Sequence, residues 1–465
     1  MLFSSLTFLF IFLPTVIGIY YILPMKAKNI WLLLSSLFFY FYGEPKYLIL
    51  MISVITFSYI FGLLTDRAEG KARLTLTVLS VAVSLSALIF FKYTDFFITT
   101  VNSVFKSDIG LLKLALPIGI SFYTFQAISY NIDVYRKDTP AQKNPLSLAL
   151  YISLFPQLVA GPIVRYTDVM HDLKHRTHSA EKFSHGIRRF VIGLGKKVIM
   201  ANSLGTLCET FRAADEKSTL FFWLYAVAFA LQIYFDFSGY SDMAIGLGKM
   251  LGFRFMENFN YPFISSSVTE FWRRWHISLG SWFRDYVYIP MGGNRVNKLR
   301  FLFNILTVWF LTGFWHGADW TFILWGLYFA ALLLCEKFIS KKIKDRVPKI
   351  ISHIYLIFVV LIGFAIFNSN GISGMADDLR GMFTSAYPLS NTTTLYYLRS
   401  YAVMLVAGAI GATPLLKNLC KKIKENSIGD KILTVAEPLF IAVVLIIVTA
   451  YLIDGTYNPF LYFRF

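Results

Sequence analysis

The sequence predicts an all-α polytopic membrane protein, and three observations carry that reading. Of the 465 residues, 56% are hydrophobic and 18% aromatic, well above the apolar share of a chain folded in water. Apolar runs close to the roughly 20 residues of a bilayer crossing recur from end to end. No polar stretch is long enough to form a separate soluble domain.

The elements follow in chain order. The first run, 4–24, has neither a basic leader nor a small-residue cleavage site, and 29–42 follows it directly, so it is expected to remain as a first helix. Runs at 47–64, 74–91, 111–129 and 146–164 are each read as a span. The run 219–235 is closed by a polar motif, and 300–314 and 319–338 flank a short turn. Spans at 350–367, 397–414 and 433–453 complete about eleven or twelve helices, some of them re-entrant, in one membrane domain over 1–465. No internal repeat is visible, which disfavours a transporter built from inverted halves.

Charge and cysteine narrow the class. The formal net charge of +17 would point a soluble domain toward nucleic acid; in a membrane protein it reflects cytoplasmic Lys and Arg and attraction to anionic membrane lipids, so no nucleic-acid partner is expected. Cys208, Cys335 and Cys420 lie far apart without ligand spacing, so neither a disulfide framework nor a metal site is expected. The basic segments at 341–346 and 417–431 bracket a nearly neutral loop at 368–398 and are assigned to the cytoplasm. With 295–300 also basic, the 300–314 helix runs outward, and the C-terminal 457–465 lies outside.

Ionisable residues inside apolar runs are costly and mark function. Asp236-Phe237-Ser238-Gly239-Tyr240-Ser241-Asp242 closes the 219–235 helix. A second cluster, from Glu270 to Tyr286, alternates Trp272, Trp275 and Phe283 with Arg273, Arg274 and Arg284, as on a helix lying at the membrane interface. Within it His276 has Glu270 and Asp285 as potential carboxylate partners; a structural hydrogen bond and a catalytic role are both open. His316 is the stronger candidate. It stands among Phe314, Trp315 and Trp320 between Gly313 and Gly317, which admit close approach of backbone or ligand atoms, and a neutral imidazole there is a general base near pH 7. His171, His175 and His178 fall at i, i+4 and i+7 on one helical face, but Lys174 and Arg176 would repel a cation, so a solvated basic face is expected. Gly161-Pro162 and Gly292-Gly293 are read as turns, and no phosphate loop or dinucleotide fingerprint is present.

These motifs occur together, and in order, in one family. With Phe39-Tyr40-Phe41-Tyr42-Gly43, the run from Leu116 to Phe125, and that from Phe155 to Ile163, the chain resembles the membrane-bound O-acyltransferases nearly end to end, most closely the bacterial branch that O-acetylates alginate. The resemblance implies a ring of transmembrane helices around a thin centre with a funnel. It places the family's signature histidine at His316 and a second polar position at His276. It further implies transfer of an acyl group, acetyl foremost, from a cytoplasmic thioester (acetyl-CoA or an acyl carrier protein; no bound cofactor) to a hydroxyl of an extracytoplasmic polysaccharide or a partner acyltransferase, in the bacterial inner (plasma) membrane. Trp315, Trp275, Asp236, Ser238, Tyr240, Asp242, Arg273, Arg274, Arg284 and Asp285 become substrate-binding candidates, the arginines, with Lys196 and Lys197, as anchors for donor phosphates. Within the family, D-alanyl transfer to teichoic acid from a carrier protein is the nearest alternative; a transporter or scaffold that kept the fold without turnover is the other.

Overall fold

The computed structural model describes residues 1–159, 161–339 and 346–455. All regular structure among them is helical. Among the described residues, six helices are long and apolar enough to cross a membrane: Leu48–Arg67, Gly70–Phe105, Thr219–Met250, Trp320–Phe338, Lys349–Phe367 and Ser427–Asp454. A seventh crossing arises if Thr392–Gly411 and Leu415–Lys424, bent by 62°, are one span. The protein is therefore a multi-pass helical membrane protein.

The expectation of eleven or twelve spans exceeds this number for reasons local to the sequence. The first run yields Phe8–Ile22, which at about 1.5 Å per residue falls short of a bilayer core of roughly 30 Å. The 111–129 run is not one helix: nothing before Ile120 is helical, and Gly119 takes φ +76°, where any Cβ would lie 2.7 Å from the Leu158 carbonyl oxygen. The 146–164 run breaks into Pro145–Ser153 and Phe155–Leu158, because Pro156 offers no N–H to continue the first helix. The 300–314 run becomes Lys298–His316. The basic segment at 341–345 and the C-terminal 457–465 lie outside the described residues.

Met1–Phe190 with Tyr240–Met256 forms one compact unit. Phe8, Phe12, Phe39 and Phe155 pack in its core with ring centroids 5.4–6.4 Å apart, in contacts worth about 0.5–1.5 kcal/mol each beyond their burial. The histidine run departs from expectation here. The Tyr166–His175 helix stops at His175, and extended Arg176 turns its side chain inward until it is only 5% exposed. His178 consequently leaves the face of His171 and His175 and bonds Tyr20.

Val191–Gly239 with Glu257–Phe465 forms the second unit. Its core gathers Tyr225, Phe229, Phe271, Trp275, Trp325, Phe329 and Phe364. The helix Thr219–Met250 is apolar on every side at its start, as a helix buried all round must be. It runs without a break through Asp236–Asp242, so that motif lies inside the helix rather than at its end. Conversely, Ser427–Asp454 exposes Leu439, Val443 and Ile446, side chains that only lipid would solvate. Lys298–His316 and Trp320–Phe338 pack backbone to backbone: a Cβ on Gly313 would sit 2.3 Å from the Phe322 oxygen, and one on Gly326 would sit 2.2 Å from that of Trp309.

Candidate functional site

The expected single interfacial helix over 270–286 is two short ones, Val268–Arg274 and Ile277–Phe283, with His276 between them. His276 takes φ +45°, a left-handed backbone that costs a non-glycine residue about 1–3 kcal/mol and persists only where surroundings enforce it. Asn258 enforces it. Its carbonyl accepts from Ile277 N–H at 2.9 Å, and its Oδ1 accepts from Ser278 N–H at 3.1 Å and Ser278 Oγ–H at 2.9 Å. The break also redirects the aromatics: Trp275 and Phe283 are buried in the core rather than spread along an interface.

Asn258 decides the chemistry of the ring as well. Its Oδ1 lies 3.2 Å from His276 Nδ1, and because that oxygen is an acceptor, Nδ1 carries the proton and Nε2 is left with the lone pair. Burial, and then the nearby His316, hold the His276 imidazole well below the ordinary histidine range, so it is neutral near pH 7. The two carboxylates expected as its partners are engaged elsewhere: Glu270 with Arg274 at 2.9 Å, Asp285 with Arg284 at 2.6 Å.

His316 is the last residue of the Lys298–His316 helix and is 8% exposed. Its ring is 5.0 Å from Trp315, 5.1 Å from Trp325 and 5.4 Å from Phe367, and Trp315 stands 6.0 Å from His276. The fold therefore brings His316, His276, Trp315 and Trp275 into one aromatic-walled cluster, while Trp320, named from sequence as a neighbour, is 44% exposed. Such a setting brings two imidazoles, that of His276 neutral, close to each other with little water to compete.

The remaining candidates divide. Asp236 is 2.7 Å from Lys197 Nζ, both side chains nearly inaccessible, and Lys197 also donates to Asn202 Oδ1 at 3.0 Å. Lys197 is thus the partner of a buried carboxylate and not a surface anchor for phosphate. Ser238 is buried on the same helix. Tyr240 and Asp242 belong to the other compact unit, where Tyr240 stacks on Phe3 at 4.6 Å and Asp242 pairs with Arg189 at 2.7 Å. Arg273 and Arg284 are exposed.

Two residues that position this cluster were not read from the sequence. Asn258 shows only as a lone amide between Phe255 and Phe259. Glu336 left a clearer signal, as the one acid in the Trp320–Phe338 helix. It is 7% exposed and caps the start of Val268–Arg274, accepting from Val268 N–H at 2.6 Å, Thr269 N–H at 3.0 Å and the Thr269 hydroxyl at 2.8 Å.

Residues 141–375 match the membrane-bound O-acyltransferase family (MBOAT). The probable alginate O-acetylase AlgI of Pseudomonas aeruginosa is 44% identical over 80% of this chain and 73% of its own length. The peptidoglycan O-acetyltransferase of Helicobacter pylori is 36% identical over 82% of this chain and 80% of its own. The teichoic acid D-alanyltransferase of Bacillus subtilis is 32% identical over 54% of this chain and 68% of its own.

Proposed function

Because the chain belongs to the membrane-bound O-acyltransferase family and is an O-acyltransferase, we propose that it moves an acetyl group from a cytoplasmic acyl thioester to a hydroxyl on the outer side of the bacterial plasma membrane. The hydroxyl belongs to an extracytoplasmic polysaccharide or to an acyltransferase that completes delivery. Acetyl-CoA, or another acyl thioester such as an acyl carrier protein, is a donor substrate and not a resident cofactor.

The observation that carries this reading is the pair of buried histidines in the aromatic cluster. His316 takes the proton of the acceptor hydroxyl as its oxygen attacks the thioester carbonyl; the C–S bond then breaks, and the proton passes to the departing thiolate. A thioester is already activated, so one positioned base and good alignment suffice, the base contributing about 10²–10⁴-fold. His276 presents Nε2 as an acceptor, which suits it to orient the hydroxyl rather than to polarise the acyl carbonyl, a task that needs a donor. Asp236 and Asp242, each in an ion pair, hold helices in place.

The test is mass spectrometry of surface polymers from cells with the native chain, without it, and with His316→Ala at equal membrane abundance. Acetyl ester present only with the native chain is expected. D-alanyl ester in its place would assign the teichoic acid reading, which the weaker likeness to the D-alanyltransferase supports less. Undiminished acylation by His316→Ala would overturn the proposed base.

A further inference from the structure

The first compact unit contains two cationic side chains, Arg176 and Lys28, that no carboxylate among the described residues neutralises. Arg176 is 5% exposed, and its partners are all neutral. Nε donates to Tyr20 Oη at 2.7 Å, and Nη1 donates to Asn29 Oδ1 at 2.6 Å and, at 3.4 Å, to the Asp172 carbonyl. Its Nη2 is buried without a hydrogen-bond partner among the described residues. Lys28, 7% exposed, lies 4.5 Å above the same Tyr20 ring and 5.2 Å from that of Tyr21. The phenol faces attract it but do not neutralise its charge.

Among the described residues, the polar groups around them bring no carboxylate to either cation. Tyr20 Oη donates to the Leu251 carbonyl at 2.7 Å, so it meets both Arg176 and, at 2.8 Å, His178 Nε2 as an acceptor and is saturated. The Asp172 carboxylate accepts from Arg254 N–H at 3.0 Å and lies 3.8 Å from His171. Burial, then the charges of Lys28 and Arg176, keep His178 below the ordinary histidine range, a further sign that positive charge here is in excess.

We propose that Lys28 and Arg176, gathered around Tyr20 beside His178, form a binding site for a phosphate-bearing anion. A phosphate offers several acceptor oxygens, one for the Arg176 Nη2 left over and another for the Lys28 ammonium, and it supplies the charge that two buried cations lack. The site lies where helix Leu13–Ile22 ends and Met25–Gly43 begins, close after the end of Tyr166–His175. Exposed Lys26 and Lys174 and half-buried Lys182 stand near it in the chain, as expected at a headgroup layer on the basic side of a membrane. The phosphate of an anionic lipid headgroup is therefore the favoured source, and a soluble phosphate the other. This site is independent of the acyl-transfer reading.

Full-length protein in nanodiscs of phosphatidylcholine doped with phosphatidylglycerol, analysed by native mass spectrometry, tests the lipid source. Titration calorimetry with inorganic phosphate in pure phosphatidylcholine nanodiscs tests the soluble one. Binding in either arm that Lys28→Met and Arg176→Gln each weaken by about tenfold or more, while exposed Lys421→Gln leaves it unchanged, establishes the site and its source. Lys28→Met keeps an aliphatic stem on Tyr20 and decides the matter if Arg176→Gln does not fold. Binding equal in native and Lys28→Met protein, or no binding in both arms, overturns the proposal.

Discussion

Asn258 fixes both the backbone and the tautomer of His276, and each can be tested separately from the ring. Asn258→Leu removes the acceptor that holds Nδ1–H and should lower acyl transfer by about 10–100-fold at unchanged membrane abundance, the usual cost of releasing a residue that orients a histidine. Activity within twofold of native would refute that role. Burial of a neutral His276 also has a stability consequence. Between about pH 6.5, the ordinary histidine value, and the lower value in the folded protein, the unfolded chain binds a proton that the folded chain does not. Stability therefore falls as pH drops through that window and is unaffected by this group above it. The fall in melting temperature between about pH 7.5 and about pH 5.5 should be smaller in His276→Asn, since asparagine tolerates the left-handed backbone that His276 holds at φ +45°. Equal falls in both proteins would contradict the assignment.

At the scale of elements, two contacts set where the histidines stand. Gly313 and Gly326 let Lys298–His316 lie on Trp320–Phe338 with no side chain between backbones. Gly326→Val should force those helices apart, at an overpacking cost of about 1–3 kcal/mol, and displace His316; a thermal midpoint and activity both unchanged would show that the contact is dispensable. Glu336→Gln keeps the shape of the cap on Val268–Arg274 but withdraws its charge and turns one acceptor into a donor. It should cost about 1 kcal/mol of stability and reduce kcat more than KM, because the capped helix leads into His276. The same scale explains what could be read from the sequence. The Gly313–Gly317 frame of His316 was legible because glycine beside tryptophan reports close packing directly. The break at His276 was not, since no proline or glycine stands at that point and the segment around Asn258, 18 residues upstream, imposes it. The Asp236 motif read as a helix end because its ion partner, Lys197, lies in a different helix and is invisible to spacing along the run.

For the whole molecule, composition disclosed the class at once, while the number of crossings depended on breaks at Gly119 and Pro156 that a window of hydropathy passes over. What composition also encodes is direction. The proposed transfer from a cytoplasmic thioester to an outer hydroxyl goes with basic segments facing inward, and the short helix Leu415–Lys424 carries Lys417, Lys421, Lys422 and Lys424 on a surface with no buried residue. It also carries a native probe, because Cys420 is exposed and Cys208 is buried. In a Cys335→Ala background, a membrane-impermeant maleimide should label Cys420 in inverted vesicles and spare it in intact spheroplasts. The thiol needs no engineering, and the buried Cys208 reports leakage or unfolding if it reacts. Labelling of Cys420 from outside would reverse the orientation. It would then place the acyl donor and the acceptor on the wrong sides of the protein, whatever His316 does.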